Sequence, residues 1–261
     1  MLKKQTQLSP EKEFLQAGRR KKILLLALCA LLFLTFIYSA GIGAASFGKK
    51  EIICILWEKF TGRPFPGVQV TAAQRDIFFQ IRLPRVFLAA LVGASLAVAG
   101  ATFQGFFRNP LADPYIIGVS SGAALGASFA VVSGLSLGLA GFSAVPLLAY
   151  AGGLATMILV YRVSRQGDTV PILMLLLAGI AVSAFLSALV SLSVYFAGER
   201  LHQVVFWMMG GLGAAKWSYV RLMIPYFLAG FGIIYYFAKE LNASLLGEET
   251  ASYLGIDVEK L

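Results

Sequence analysis

Charge is what this sequence has least of: across 261 residues Lys, Arg, Asp and Glu make up 13%, against roughly 25% in an ordinary soluble domain. A single histidine, His202, excludes a multi-histidine metal site. Two cysteines, Cys29 inside an apolar run and Cys54 beyond it, fall at different depths and give neither a disulfide scaffold nor a structural zinc. No cofactor and no nucleic-acid partner are expected. What the chain has in abundance is apolar residues, at 58%, which excludes intrinsic disorder and makes water a minor solvent for it.

A bilayer core of about 30 Å needs about 20 apolar residues in a helix, because unpaired backbone cannot be left in hydrocarbon. Six tracts meet that length: approximately Ile23 to Ala44, Val86 to Phe107, Tyr115 to Val132, Ala140 to Val163, Pro171 to Ala197 and Leu222 to Ala238. The expected fold is therefore an all-α polytopic membrane bundle of six spans. Ile52 to Trp57 and Val204 to Ala215 are too short to cross and read as interfacial or re-entrant pieces. The first tract outruns a secretory h-region, so the spanning reading is preferred to a cleaved signal.

The tail over residues 1–22 carries seven basic and two acidic residues, which sets the N-terminus in the cytoplasm. With six spans, residues 239–261 are cytoplasmic too. The remaining loops run against the positive-inside rule. Inner connections hold Arg108, Arg162 and Arg165, whereas outer ones hold ten cations: Lys49, Lys50, Lys59, Arg63, Arg75, Arg82, Arg85, Arg200, Lys216 and Arg221. Either the topology is inverted or these cations act outside; the dominant tail and the long 45–85 loop favour the second. Snorkelling and lipid-headgroup contact account for part of the excess.

Helices in lipid associate through small residues that let backbones approach. Ala89, Gly93, Ala97, Ala101 and Gly105 recur four apart in the second tract, and Gly118, Gly122, Gly126, Ala130 and Gly134 in the third. Gly179, Ser183, Ser187 and Ser191 do the same in the fifth. Such faces pack helices or line a path, and sequence does not separate the two. The spans hold no carboxylate or histidine of the sort that ion-coupled carriers keep at mid-membrane. An ion-coupled carrier, a passive channel and a non-transporting scaffold are the competing classes; uphill transport by this chain would draw its energy from another subunit. The run Gly43-Ala-Ala-Ser-Phe-Gly48-Lys49-Lys50 approaches a P-loop, but Lys50 stands where magnesium needs Ser or Thr and an apolar helix replaces the strand. With no nucleophile and base constellation either, the chain is not expected to be an enzyme.

Gln80-Ile-Arg82-Leu-Pro84-Arg85 opens the second tract on the outer side, with Pro84 suited to a first helical turn and two guanidinium forks three residues apart. Such forks pair with carboxylates, though one surface pair adds little. On the inner side Arg108-Asn-Pro110-Leu-Ala-Asp113-Pro114 reads as a turn in which Asp113 caps the next helix. Leu245-Leu-Gly247-Glu248-Glu249-Thr-Ala-Ser-Tyr253-Leu254-Gly255 reads as a short surface helix, with acids at its positive end and a glycine stop, fit for a partner's groove.

Together QIRLPR (80–85), FRNPLADPYIIGVSSGA (107–123), FWMMGGLG (206–213) and LLGEETASYLGI (245–256) resemble the permease subunits of type II ABC importers for iron chelates, haem and vitamin B12. The resemblance implies a homodimeric ten-helix permease working with a cytoplasmic ATPase pair and an extracytoplasmic binding protein. It assigns Arg82 and Arg85 to docking of the binding protein. It assigns ATPase coupling to the segment holding Leu246, Gly247, Glu248, Glu249, Ala251, Leu254 and Gly255. On this plan residues 1–22 are a cytoplasmic tail, 23–238 a bundle of six helices with a re-entrant segment at 199–218, and 239–261 the coupling segment. The family's last four helices are expected to be missing from a sequence ending at Leu261. No span carries a charge suited to a bare metal ion or phosphate, which agrees with a bulky chelate; His202, Met208 and Met209 fit interfacial packing.

Overall fold

A computed structural model of the chain describes residues 10–43, 48–63, 65–66, 70–135, 144–167 and 169–245, with Gly247 and Tyr253. Apart from one bridge between Gln166 and Thr169, the regular elements among these residues are helical. They are α1 (Pro10–Gly41), α2 (Lys49–Thr61), α3 (Ala72–Asp76), α4 (Leu83–Phe106), α5 (Val119–Ser133), α6 (Ala144–Ser164), α7 (Ile172–Tyr195), α8 (Leu201–Met208), α9 (Trp217–Tyr236) and α10 (Ala238–Ser244). The chain is an all-α membrane protein, as its composition requires. Leu24, Leu26 and Phe33, on different sides of α1, are 61%, 70% and 66% exposed. A helix in water would hide one such face, so hydrocarbon is the medium this one suits.

Among the described residues five helices are long and apolar enough to cross a bilayer: Gly18–Gly41, Ala72–Phe106, Ala144–Ser164, Ile172–Tyr195 and Trp217–Tyr236. The Tyr115 to Val132 tract departs from expectation. It forms a 3-10 turn, Pro114–Ile117, and then α5, whose 15 residues extend about 22 Å at 1.5 Å per residue. Gly118 (φ 82°) turns the chain before α5 and Gly134 (φ 67°) closes it. α5 packs against α6, α7 and α8, with Gly122, Ala127, Ser128, Ala130 and Val131 buried. A helix enclosed by protein need not match the bilayer's thickness, because its neighbours rather than lipid surround its ends.

The chain divides into two compact units, one of Met1–Leu88 with Ala215–Trp217 and one of Ala89–Ala214 with Ser218–Leu261. The first has a core of Ala40, Cys54, Ile55, Val70 and Phe78. The second has two: Phe107, Ala112, Ile117, Val160 and Leu175, and separately Val131, Ala197 and Val204.

In the first unit the helix containing Pro84 begins earlier than the sequence suggests. Thr71 caps it: its hydroxyl accepts the Gln74 N–H at 3.2 Å, and its own N–H donates to Gln74 Oε1 at 2.9 Å. α3 then runs without a break through a π turn, Ile77–Arg82, into α4. Pro84 sits inside this continuous helix, and the π turn explains how. The Leu83 N–H reaches back to Phe78 O, five residues away, so the Phe79 carbonyl would next be served by residue 84, which has no N–H. Trp217 supplies the missing donor, its Nε1 lying 2.8 Å from Phe79 O. Trp217→Phe keeps the ring packed on Phe87, 5.6 Å away, but leaves that carbonyl unserved. A loss of about 1–3 kcal/mol is expected, read as a lower thermal midpoint in detergent; an unchanged midpoint refutes the role.

Candidate docking and helix-packing sites

The structure treats the two arginines of the Gln80–Arg85 segment differently. Arg85 is exposed on α4. Arg82, at the last position of the π turn, is only 6% exposed, and its Nη1 donates to Ala40 O at 3.2 Å and Gly41 O at 2.7 Å. These carbonyls end α1, where the helix has no N–H groups left to offer and carries negative partial charge. Gly43 leaves room beside this guanidinium, since a Cβ there would lie 2.9 Å from Arg82 Nη2 and press the side chain aside.

A second guanidinium does the same work in the other unit. Arg200 Nη1 donates to Val131 O at 3.1 Å and Val132 O at 2.7 Å, at the C-terminal end of α5. Gly134 completes this end, since its left-handed backbone disfavours a side chain and a Cβ would lie 2.5 Å from Arg200 Nη1. This contact is invisible in sequence, because Arg200 lies 69 and 68 residues from its acceptors. Two more of the cations expected on the outer side also have partners: Arg75 Nη2 is 2.9 Å from Glu58 Oε2, and Lys59 Nζ lies 5.6 Å from the centre of the Phe79 ring.

The small-residue faces separate clearly. On α5, a Cβ at Gly122 would overlap the Thr156 hydroxyl and lie 2.6 Å from Gly152 O, and one at Gly126 would overlap Leu148 O. Facing them on α6, a Cβ at Gly152 would overlap Gly122 O. On α7, a Cβ at Gly179 would lie 2.6 Å from Ile116 O. Gly118, Gly122 and Gly126 thus sit where backbones touch. The stripe on α4 is open by contrast: nothing lies within 4 Å of a Cβ built at Gly93 or Gly105, and Ala97 is exposed. Ala101 and Gly105 line a cleft of about 590 Å³ between the C-terminal half of α4 and α9–α10, together with Gln104, Arg108, Asn109 and Asn242.

The model of the FecCD transport family matches residues 31–261. The chain belongs to this family. An uncharacterised ABC transporter permease protein of Bacillus subtilis, YvrB, is 44% identical over 186 residues, which cover 71% of this chain and 53% of that protein. The cobalamin import system permease protein BtuC of Halobacterium salinarum is 42% identical over 194 residues, 74% of this chain and 51% of its own length. A solved metal-chelate type ABC transporter, in an inward-facing conformation, superposes with a TM-score of 0.73 at 33% identity, covering 92% of this chain and 70% of that one. The chain thus spans about half the length of these two curated relatives.

In this FecCD family chain the turn after α4 follows the expected chemistry. Asn109 Oδ1 accepts the Leu111 N–H at 2.9 Å, and Asp113 Oδ1 accepts the Tyr115 N–H at 2.8 Å. What Asp113 caps is the Pro114–Ile117 3-10 turn rather than α5 itself. The P-loop-like run begins just beyond α1, and the Gly48 N–H donates to Glu51 Oε2 at 2.9 Å as α2 opens; residues 44–47 lie outside the described residues. Of the expected coupling residues, Leu246, Glu248, Glu249, Ala251, Leu254 and Gly255 also lie outside them. Gly247 is described: its N–H donates to Ser244 O at 3.2 Å and its φ is 109°, so the chain changes direction after α10.

Proposed function

We propose that the chain is the membrane-embedded permease subunit of an ATP-driven importer for a metal chelate: an iron siderophore, haem or cobalamin. It works as a homodimer in the bacterial plasma membrane, with its N-terminus in the cytoplasm. A cytoplasmic ATPase pair drives it, and an extracytoplasmic binding protein delivers the substrate. The observation that carries this reading is the family match over residues 31–261, joined to the likeness to a metal-chelate type transporter.

Physical chemistry supports it independently. Among the described residues α5 and α7 contain no acidic, basic or histidine side chain, and the cations of α4, α6, α9 and the apolar Gly18–Gly41 stretch of α1 lie near one end of each. A chain of hydrocarbon-compatible helices without a carboxylate or histidine relay has no titrating group through which a proton gradient could act. The outer arginines and the 245–255 segment then serve as contact points for the subunits on either face: Arg85 for acidic residues of the binding protein, and Leu246 to Gly255 for a groove of the ATPase.

Reconstitution of the intact permease in liposomes, with its ATPase and binding protein, tests the reading. Uptake is expected to require all three components and ATP. Concentrative uptake driven by a sodium or pH gradient without ATP refutes it.

A further inference from the structure

We propose that α2 is a lipid-binding helix. It lies along the bilayer surface where α1 ends, sets Ile53, Trp57 and Phe60 at the acyl boundary, and holds anionic headgroups with Lys50 and Lys59. The leaflet, the outer one, rests on the N-in reading above; the lipid contact does not, because inverting the chain changes only the leaflet.

α2 is apolar on two opposite sides. With about 3.6 residues per turn, Cys54 and Ile55 fall on one side, buried in the core that also holds Ala40 of α1. Ile53, Leu56, Trp57 and Phe60 fall on the other and are exposed, Phe60 to 86% and Ile53 to 57%. Single apolar residues are ordinary on a surface, but four on one helix face mark contact with something other than water.

The placement of α2 identifies that medium as lipid. A Cβ at Gly41, the last residue of α1, would lie 2.8 Å from Ile52 Cδ1, so α2 starts against the end of a membrane helix. Near its other end Lys59 Nζ lies 5.6 Å from the centre of the Phe79 ring, on the apolar helix Ala72–Phe106. Ties at both ends to helices long enough to cross hold α2 at the bilayer surface.

Charge follows the same plan. Lys50 and Lys59, both exposed, flank the apolar face on its two sides. The acids of α2 are engaged elsewhere: Glu51 Oε2 accepts the Gly48 N–H at 2.9 Å, and Glu58 Oε2 pairs with Arg75 Nη2 at 2.9 Å. An apolar face with an indole and rim lysines matches the boundary between acyl chains and phosphates, where Trp settles and Lys snorkels. Rim cations on both sides favour anionic over zwitterionic headgroups.

The test uses the intact transporter in nanodiscs holding phosphatidylglycerol and phosphatidylcholine in equal amounts. p-Benzoylphenylalanine replaces Phe60, the complex is irradiated with and without binding protein, and the adducts are identified by mass spectrometry. Phospholipid adducts are expected to dominate in both conditions, with phosphatidylglycerol recovered in about threefold excess. K50Q with K59Q, a mild change, is expected to bring the two lipids to parity. K50E with K59E is expected to reverse the preference while lipid adducts persist. Adducts on protein in place of lipid overturn the proposal. So does parity of the two lipids in the parent, or a preference that survives K50E with K59E. No ATP or substrate enters the measurement, so failure of the importer reading in liposomes is a separate result and leaves this one intact.

Discussion

Alanine at Gly126 or Gly152 is expected to disrupt the α5–α6 pair, while alanine at Gly93 or Gly100 stabilises the chain. At the first two positions the added carbon falls on main-chain oxygen, Leu148 O and Gly122 O respectively. A backbone atom cannot rotate away as a side chain can, so the helices must separate along their length. The dispersion contacts and weak Cα–H···O bonds between them weaken together. Overpacking of this sort costs about 1–3 kcal/mol per site and sometimes more, a large share of a marginal fold. Gly93 and Gly100 face open space on α4, where alanine gains the helix propensity that glycine lacks, about 0.8–1.0 kcal/mol. Thermal unfolding of the four variants in detergent should show opposite signs for the two pairs. Equal effects would mean that the glycines of α5 and α6 are interchangeable with those of α4.

That contrast marks where sequence stopped being informative. Spacing four apart was visible in both α4 and α5, and it describes a smooth helix face without saying what lies against it. The long apolar helices were legible because bilayer thickness imposes a length on them. The short α5 was not, since enclosure by α6, α7 and α8 removes that constraint. The start at Ala72 was hidden because Pro84 normally opens a helix, and only the π turn with Trp217 makes it tolerable inside one. The excess of outer cations was legible as a number but not as a set of bonds. Arg82 lies 41 and 42 residues from its acceptors, and Arg200 68 and 69 residues from its own. Both neutralise the negative ends of helices that an N-in topology points outward. Cations held this way contribute to the fold whichever way the chain is inserted, so their number alone does not set the topology.

Replacing Glu248 and Glu249 together by alanine is expected to uncouple transport from ATP hydrolysis. The argument starts at α10, which ends at Ser244 before Gly247, at φ 109°, redirects the chain. In sequence two carboxylates follow that glycine directly, and acidic residues in a helix's first turn favour its formation. The apolar Leu246 and Leu254 flank them in sequence, as a helix seated in a partner's groove requires. On the proposed function, closure of an ATPase pair would move the permease only through the difference in contact energy this segment makes in the two states. Coupling energies of that kind amount to about 1–3 kcal/mol, or 5–150-fold. The double variant should therefore lose uptake by a factor in about that range, while ATP hydrolysis ceases to respond to the loaded binding protein. Co-purification of the ATPase separates the two ways this can happen: a complex that stays intact but idle has lost coupling, and one that falls apart has lost docking. Either result places the segment at the interface, and wild-type uptake by the double variant removes it from the mechanism.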